Sequence, residues 1–317
     1  MIGRTQAAAR GTGRRARRAL TSGLALLDGR NGNPDEPLAH PPLFVVGAPR
    51  SGSTLLYQLA VQAWDVTYLS NRHCAFAGAP HLVERLTGRR PPPVSFESEH
   101  GRTEGPRGPS ECGEYWYRFF RRRPQHVPLE DAEPERLHRL RASVRALGDA
   151  SRRPIVFKNL VCSLRVGPLA AALPEALFVV VRRELVANAA SLLAGRYRRS
   201  GDYGRWWSAE PPDIERLRAL PPHEQVVEQV RAVEALIRAD ARRIGEARFL
   251  VVRYEDLCAD THGTLGNLLE FARLGGIVLR TRGQVPAAFS PREAPALDDD
   301  LRRRLVEYVE ATTPVSS

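Results

Sequence analysis

Two glycines, one arginine and three hydroxyls fall within eight positions of a short apolar run: Gly47, Arg50, Ser51, Gly52, Ser53 and Thr54. Such a set can grip an anion. Glycines let the backbone turn tightly and come close to the ligand, and the first N–H groups of a following helix point at it together with the helix dipole. The two glycines have the G-x-x-x-x-G spacing of a nucleotide phosphate loop, yet Ser53 stands where that loop carries its lysine. The cation lies upstream instead, at Arg50. A second group stands out by rarity. Of the 47 Lys and Arg residues, Lys158 is the only lysine, and it directly follows the apolar run Ile155-Val156-Phe157. The arginine-for-lysine and alanine bias of the chain is explained by a GC-rich genome, and that leaves the lone lysine as an exception to be accounted for.

The elements that must position these groups read as alternating strands and helices. Buried parallel strands are expected at Leu43 to Gly47, Ile155 to Phe157, Leu177 to Val181 and Phe249 to Arg253. Helices are expected at about Ser53 to Trp64, Arg165 to Leu173, Leu185 to Arg196, Glu224 to Arg243, Thr264 to Leu274 and Asp298 to Glu310. Alternation of this kind argues an α/β, doubly wound architecture. Residues 88 to 110, with three consecutive prolines at Pro91, Pro92 and Pro93, read as a long loop of the sort that forms lids or binding segments. The segment Gly201 to Pro222, with Trp206 and Trp207, is expected to cap one end of the sheet.

Charge and cysteine usage narrow the function classes. The net charge of +11 is uneven: residues 1 to 30 carry seven arginines against the single acid Asp28. Residues 1–39 therefore read as a basic, poorly ordered arm, and a nucleic-acid surface over the remainder loses most of its support. Cys74, Cys112, Cys162 and Cys258 are widely spaced, without a C-x-x-C pair or clustered histidines, so neither a zinc site nor a disulfide framework is expected. That usage fits a reducing cytoplasm, and no apolar run is long enough to span a bilayer.

The segment from Pro49 to Leu56 resembles the 5′-phosphosulfate loop of the sulfotransferases that use 3′-phosphoadenosine 5′-phosphosulfate. That resemblance implies a three-layer, P-loop-like fold with a central parallel sheet flanked by helices, occupying residues 40–317. In this family an arginine ending a strand and a serine eight residues later hold the 3′-phosphate; Arg183, after Phe178 to Arg182, and Ser191 match it. Phe249 to Leu257 resembles the family's strand ending in Tyr-Glu-Asp, which makes Tyr254 the adenine contact. Lys158 matches the catalytic lysine, whose cation offsets charge developing on the leaving phosphate. Arg50, Ser51, Gly52, Ser53 and Thr54 then hold the 5′-phosphosulfate. The product is adenosine 3′,5′-bisphosphate, and no metal is expected because a sulfuryl group carries less charge than a phosphoryl group.

The general base departs from the family's patterns. Cytosolic members place a histidine two residues after the lysine, and Leu160 stands there; others place a glutamate just over twenty residues after the loop arginine, and His73 stands nearby. His73 is the leading candidate, with Glu111 and Glu114 as alternatives, and Glu97, Glu99 and His100 lie in the long loop. The acceptor would be a hydroxyl or amine of a small molecule, glycan or lipid; the aromatic set Tyr115, Trp116, Tyr117, Phe119, Phe120, Trp206 and Trp207 would suit an apolar one. Two rivals stay open. One is an ATP- or GTP-dependent kinase, which needs an acidic magnesium ligand such as Glu255 or Asp256. The other is a catalytically silent nucleotide- or polyanion-binding protein that docks through its arginine arm.

Overall fold

The computed structural model describes residues 36–87, 103–293 and 297–313, together with Gly23 and Phe96. The basic arm up to residue 35, apart from Gly23, lies outside the described residues, and so do Glu97, Glu99 and His100.

The chain runs β1 (Pro42–Gly47), α1 (Ser53–Ala63), β2 (Thr67–Tyr68), α2 (Asn71–Ala75), α3 (Pro80–Thr87), α4 (Gly113–Trp116), α5 (Pro134–Ser151) and β3 (Ile155–Lys158). It continues through α6 (Val166–Ala172), β4 (Leu177–Arg182), α7 (Leu185–Ser200), α8 (Ile214–Arg218), α9 (Pro222–Ile244), β5 (Phe249–Arg253), α10 (Tyr254–Ala259), α11 (Thr261–Leu274) and α12 (Asp299–Thr312). The five strands form one parallel sheet in the order β2-β3-β1-β4-β5.

Strand period decides which side chains enter which layer. On β1, Phe44 and Val46 point to one face and Leu43 and Val45 to the other. Phe44 packs between Phe157 of β3 and Phe178 of β4, with ring centroids 5.2 and 5.4 Å away. That face is covered by α5, α6 and α9, through residues such as Leu140, Val144, Leu169, Val233 and Ile237. The opposite face is covered by α1, α10 and α11, through Leu56, Leu59, Leu257, Leu265 and Leu268. The result is the expected three-layer α/β fold of P-loop-like type, with helices on both sides of a parallel sheet.

Several details differ from the sequence-based expectation. Phe249 to Arg253 forms β5 as expected, but as an edge strand with Val251 half exposed rather than as a buried one. The two-residue strand β2 and the helices α2 to α5 were not anticipated. The aromatic cluster Tyr115, Trp116, Phe119 and Phe120 is fully buried in the core beneath β1 and β3, where Trp116 and Phe157 stand 5.1 Å apart. It cannot line an acceptor pocket. Among the described residues, no helix is long and apolar enough to cross a membrane.

The strand order places the functional groups. The chain leaves β1 for the far edge, returns through β3 on one side of β1 and then crosses to β4 on the other. At the carboxyl end of β1 the flanking connections diverge, opening the crevice where ligands bind in doubly wound sheets. Gly47, Lys158, Arg183 and Tyr254 all sit at strand ends facing that crevice.

Candidate active site

The loop between β1 and α1 is shaped by two left-handed residues, Arg50 at φ 67° and Gly52 at φ 94°. A β-carbon on Gly52 would stand 2.2 Å from Tyr254 Cδ2, and one on Gly47 would stand 2.4 Å from the Val181 carbonyl oxygen. Both positions are thus closed to any side chain. The loop is clamped from outside by Ser163, which accepts from Gly47 N at 3.0 Å and donates to Gly47 O at 2.9 Å. Asn188 on α7 donates to Pro49 O at 2.6 Å. No side chain caps the N-terminus of α1, so its leading N–H groups are left to the crevice.

A cavity of about 640 Å³ opens on this loop. Arg50, Gly52, Ser53 and Thr54 line it, joined by Lys158, Glu111, Arg183, Tyr254, Arg292, Phe96, Phe289 and Trp207. Ser51 is buried beneath the loop, its hydroxyl toward Gly47, and does not reach the cavity wall. Ser191 is also buried behind the loop, where it accepts from Arg50 Nε at 3.1 Å and orients that guanidinium.

Positive charge converges here. The Arg50 guanidinium is held below its usual range, first by burial and then by Arg198, Arg183 and Arg292. No carboxylate is among the groups that act on it; only Tyr254 opposes the shift. Arg183 lies over the Tyr254 ring, 4.8 Å from its centroid, and donates to Arg292 O at 2.5 Å. The Tyr254 hydroxyl accepts from Arg292 N at 3.0 Å. Arg292 was not anticipated as a site residue: it lies in irregular chain after α11, with no motif around it. Tyr254, occupied by Gly52 at its edge and Arg183 over its ring, braces the cationic wall.

On the other side of the cavity, Lys158 at the end of β3 donates from Nζ to Thr54 Oγ1 at 3.2 Å and pairs with Glu111 Oε1. The second oxygen of Glu111 accepts from Leu160 N at 3.1 Å, and its backbone carbonyl accepts from Asn159 Nδ2 at 2.9 Å. Leu160 thus contributes its backbone N–H, which steers the Glu111 carboxylate toward the cavity.

The other two base candidates stand elsewhere. Glu114 is half exposed and pairs with Arg122 at 2.6 Å. His73, on α2, does not line the large cavity but a smaller one of about 40 Å³ with Glu84 and Arg153. Its Nδ1 accepts from Ser70 N at 3.1 Å in a capping box, which leaves the proton on Nε2. Burial holds its pKa down at about 4. Glu84, 3.6 Å from Nε2, does little to reverse this because its other oxygen is committed to Arg153 at 2.7 Å. His73→Gln is therefore expected to leave turnover unchanged. Its effect is on acid stability: unfolded His73 takes a proton near pH 6.5 while the native residue waits until about 4. The stability present above pH 6.5 is lost as pH falls toward 4, by up to about 3 kcal/mol, and the Gln variant lacks that loss. Urea midpoints at pH 7 and pH 4.5 measure the difference.

Of the aromatic acceptor set, Trp207 alone reaches the cavity. Trp206 donates to Ala209 O at 3.2 Å and lies under the Arg196 guanidinium.

Among curated proteins, none matches the chain. Among solved structures, sulfotransferase STF9 from Mycobacterium avium shares the fold, with a TM-score of 0.51 at 16% identity over 89% of this chain and 70% of that chain. Sulfotransferase STF1 from Mycobacterium tuberculosis H37Rv gives 0.46 at 18% over 85% and 71%. A sulfotransferase from Alicyclobacillus acidocaldarius gives 0.45 at 17% over 86% and 93%. A family model described as "Sulfotransferase family" matches residues 41–275, from the strand before the phosphate loop to the end of the helix after Tyr254, and the chain belongs to that family.

Proposed function

We propose that the chain transfers a sulfuryl group from 3′-phosphoadenosine 5′-phosphosulfate to a hydroxyl or amine of a small molecule, glycan or lipid. The observation that carries the donor assignment is the convergence of Arg50, Arg183, Arg198 and Arg292 with no carboxylate acting on Arg50. Such a wall attracts a polyanion, and a nucleotide phosphorylated at both ends supplies one. The leading N–H groups of α1, which no side chain caps, suit the close approach of a phosphate.

When bound, the donor supplies an activated sulfuryl group on a good leaving phosphate. The leading N–H groups of α1, with Ser53 and Thr54, hold its 5′ end. Arg183 and Arg292 meet the 3′-phosphate, and Ser191 serves this site by orienting Arg50 rather than by touching the ligand. Lys158, held at Thr54, stands where it offsets charge on the leaving oxygen. Glu111 is the base: of Glu111, Glu114 and His73, it alone lines the cavity and contacts Lys158. It takes the acceptor's proton at a carboxylate oxygen. Positioning and electrostatics supply most of the rate.

Thermal unfolding tests the donor assignment. Adenosine 3′,5′-bisphosphate at a hundredfold its dissociation constant is expected to stabilise the chain by about 2.7 kcal/mol. Adenosine 5′-monophosphate, and ATP with magnesium, at equal concentration are expected to shift the midpoint much less. Equal shifts from all three would overturn the assignment and return the kinase alternative.

A further inference from the structure

Two thiols border the same cavity on the Glu111 side, and neither takes part in the transfer. Cys74 lies on α2; Cys112 follows Glu111 directly and precedes α4. Both line the cavity wall. The fold brings both to Ser110, although 37 residues separate them in sequence. Ser110 ties the pair together, its Oγ 3.1 Å from Cys74 Sγ and accepting from Cys112 N at 3.4 Å. Cys112 is held in the left-handed region at φ 43°, a conformation that a side chain with a β-carbon adopts only when its surroundings impose it. Cys162 and Cys258, by contrast, are fully buried in separate parts of the fold.

The two thiols are unequal. Hydrogen bonds, first from Cys112 and also from Ser110, pull the Cys74 thiol down despite its burial. Burial pushes the Cys112 thiol up. Cys74 is thus the more readily ionised thiol and the attacking one, and Cys112 its partner.

We infer that Cys74 and Cys112 form a reversible disulfide on exposure to hydrogen peroxide, and that this bond withdraws Glu111 from Lys158 and switches the site off. The switching half rests on the role of Glu111 given above. In the first step Cys74 sulfur attacks peroxide: an S–O bond forms, the O–O bond breaks, water leaves with the thiol's proton, and the sulfur is oxidised by two electrons to the sulfenic acid. In the second, Cys112 sulfur attacks the sulfenic sulfur: the S–S bond forms, the S–O bond breaks, and the hydroxyl departs as water with the proton of Cys112. A small-molecule dithiol reverses the bond by exchange.

A disulfide brings two sulfurs to about 2.05 Å, well inside hydrogen-bonding separation. Closing the bond draws Cys112 toward Cys74, and Glu111 is covalently next to Cys112. A misplacement of roughly 1 Å at a reacting group costs on the order of a hundredfold in rate.

The test treats the full chain with hydrogen peroxide, blocks free thiols and maps tryptic peptides. The expected product links peptide 73–85 to peptide 108–118, and dithiothreitol removes it. Transfer activity, scaled to each protein's untreated value, is expected to fall at least tenfold with the link and to recover with its reduction. Cys74→Ser, scaled to its own untreated rate, should show no such reversible fall. Peroxide that leaves Cys74 singly oxidised, with no linked peptide, overturns the inference. A linked peptide with undiminished transfer overturns the switch. The bisphosphate-induced thermal shift of the untreated protein is scored separately, and its absence would count against the donor assignment alone.

Discussion

Lys158→Ala is expected to lower turnover by about 10²- to 10³-fold, the range seen when a preorganised donor to a developing negative charge is removed. The same substitution should leave the affinity for adenosine 3′,5′-bisphosphate within a small factor of its original value. The split follows from position. Lys158 is nearly buried at the end of β3 and fixed between Thr54 and Glu111, whereas the arginine wall around Arg183 and Arg292 lies on the other side of the loop. On the proposed donor, the wall is expected to hold the nucleotide whether or not the lysine is present. The ammonium matters most when the bridging oxygen gains charge. Single-turnover kinetics together with calorimetric titration of the bisphosphate separate the two. Equal losses in both would reduce Lys158 to a binding residue. Lys158→Arg should rescue little, because a broad planar guanidinium cannot occupy the space of a compact ammonium packed against Thr54.

The parts of this site that were legible in the sequence are those whose chemistry is local. Gly47, Arg50, Gly52 and the hydroxyls lie within a few residues, because a phosphate loop is a single turn between a strand and a helix. Lys158 announced itself by composition. What could not be read was whatever the fold brings from a distance. Ser163 clamps Gly47 across 116 residues and Asn188 holds Pro49 across 139, and neither sits in a motif. Arg292 joins the cationic wall from an irregular segment. The helix α5 was hidden because its inward positions include Arg141, Ser143, Gly148 and Ser151, which break the apolar stripe by which a helix is recognised. Arg141 is accommodated there by paired bonds to Glu175 at 2.7 and 2.8 Å and by donation to Glu36 O at 2.6 Å. His73 misled for a related reason. A histidine at the right distance along the chain is indistinguishable from a capping residue until Ser70 is seen to donate to its Nδ1.

Glu111→Gln is expected to lower turnover by about 10²-fold or more, within the range that a positioned general base contributes. The substitution is nearly isosteric. The amide oxygen can still accept from Leu160 N, and the backbone contact with Asn159 is untouched, so fold and bisphosphate affinity should hold. What is removed is a site for the acceptor's proton. A carboxylate touching an ammonium invites another explanation, in which Glu111 merely steers Lys158. The two separate on the acidity of the acceptor. A base matters less as the acceptor hydroxyl becomes more acidic, so across a series of alcohols and phenols the Gln variant's deficit should shrink steadily toward the most acidic member. A deficit that stays constant along the series would make Glu111 a positioning residue for Lys158. A double substitution sharpens the choice: if the two groups act as a unit, Lys158→Ala with Glu111→Gln should cost far less than the product of the single losses. Strict multiplication would mean that the pairing of Nζ and Oε1 has no part in the rate.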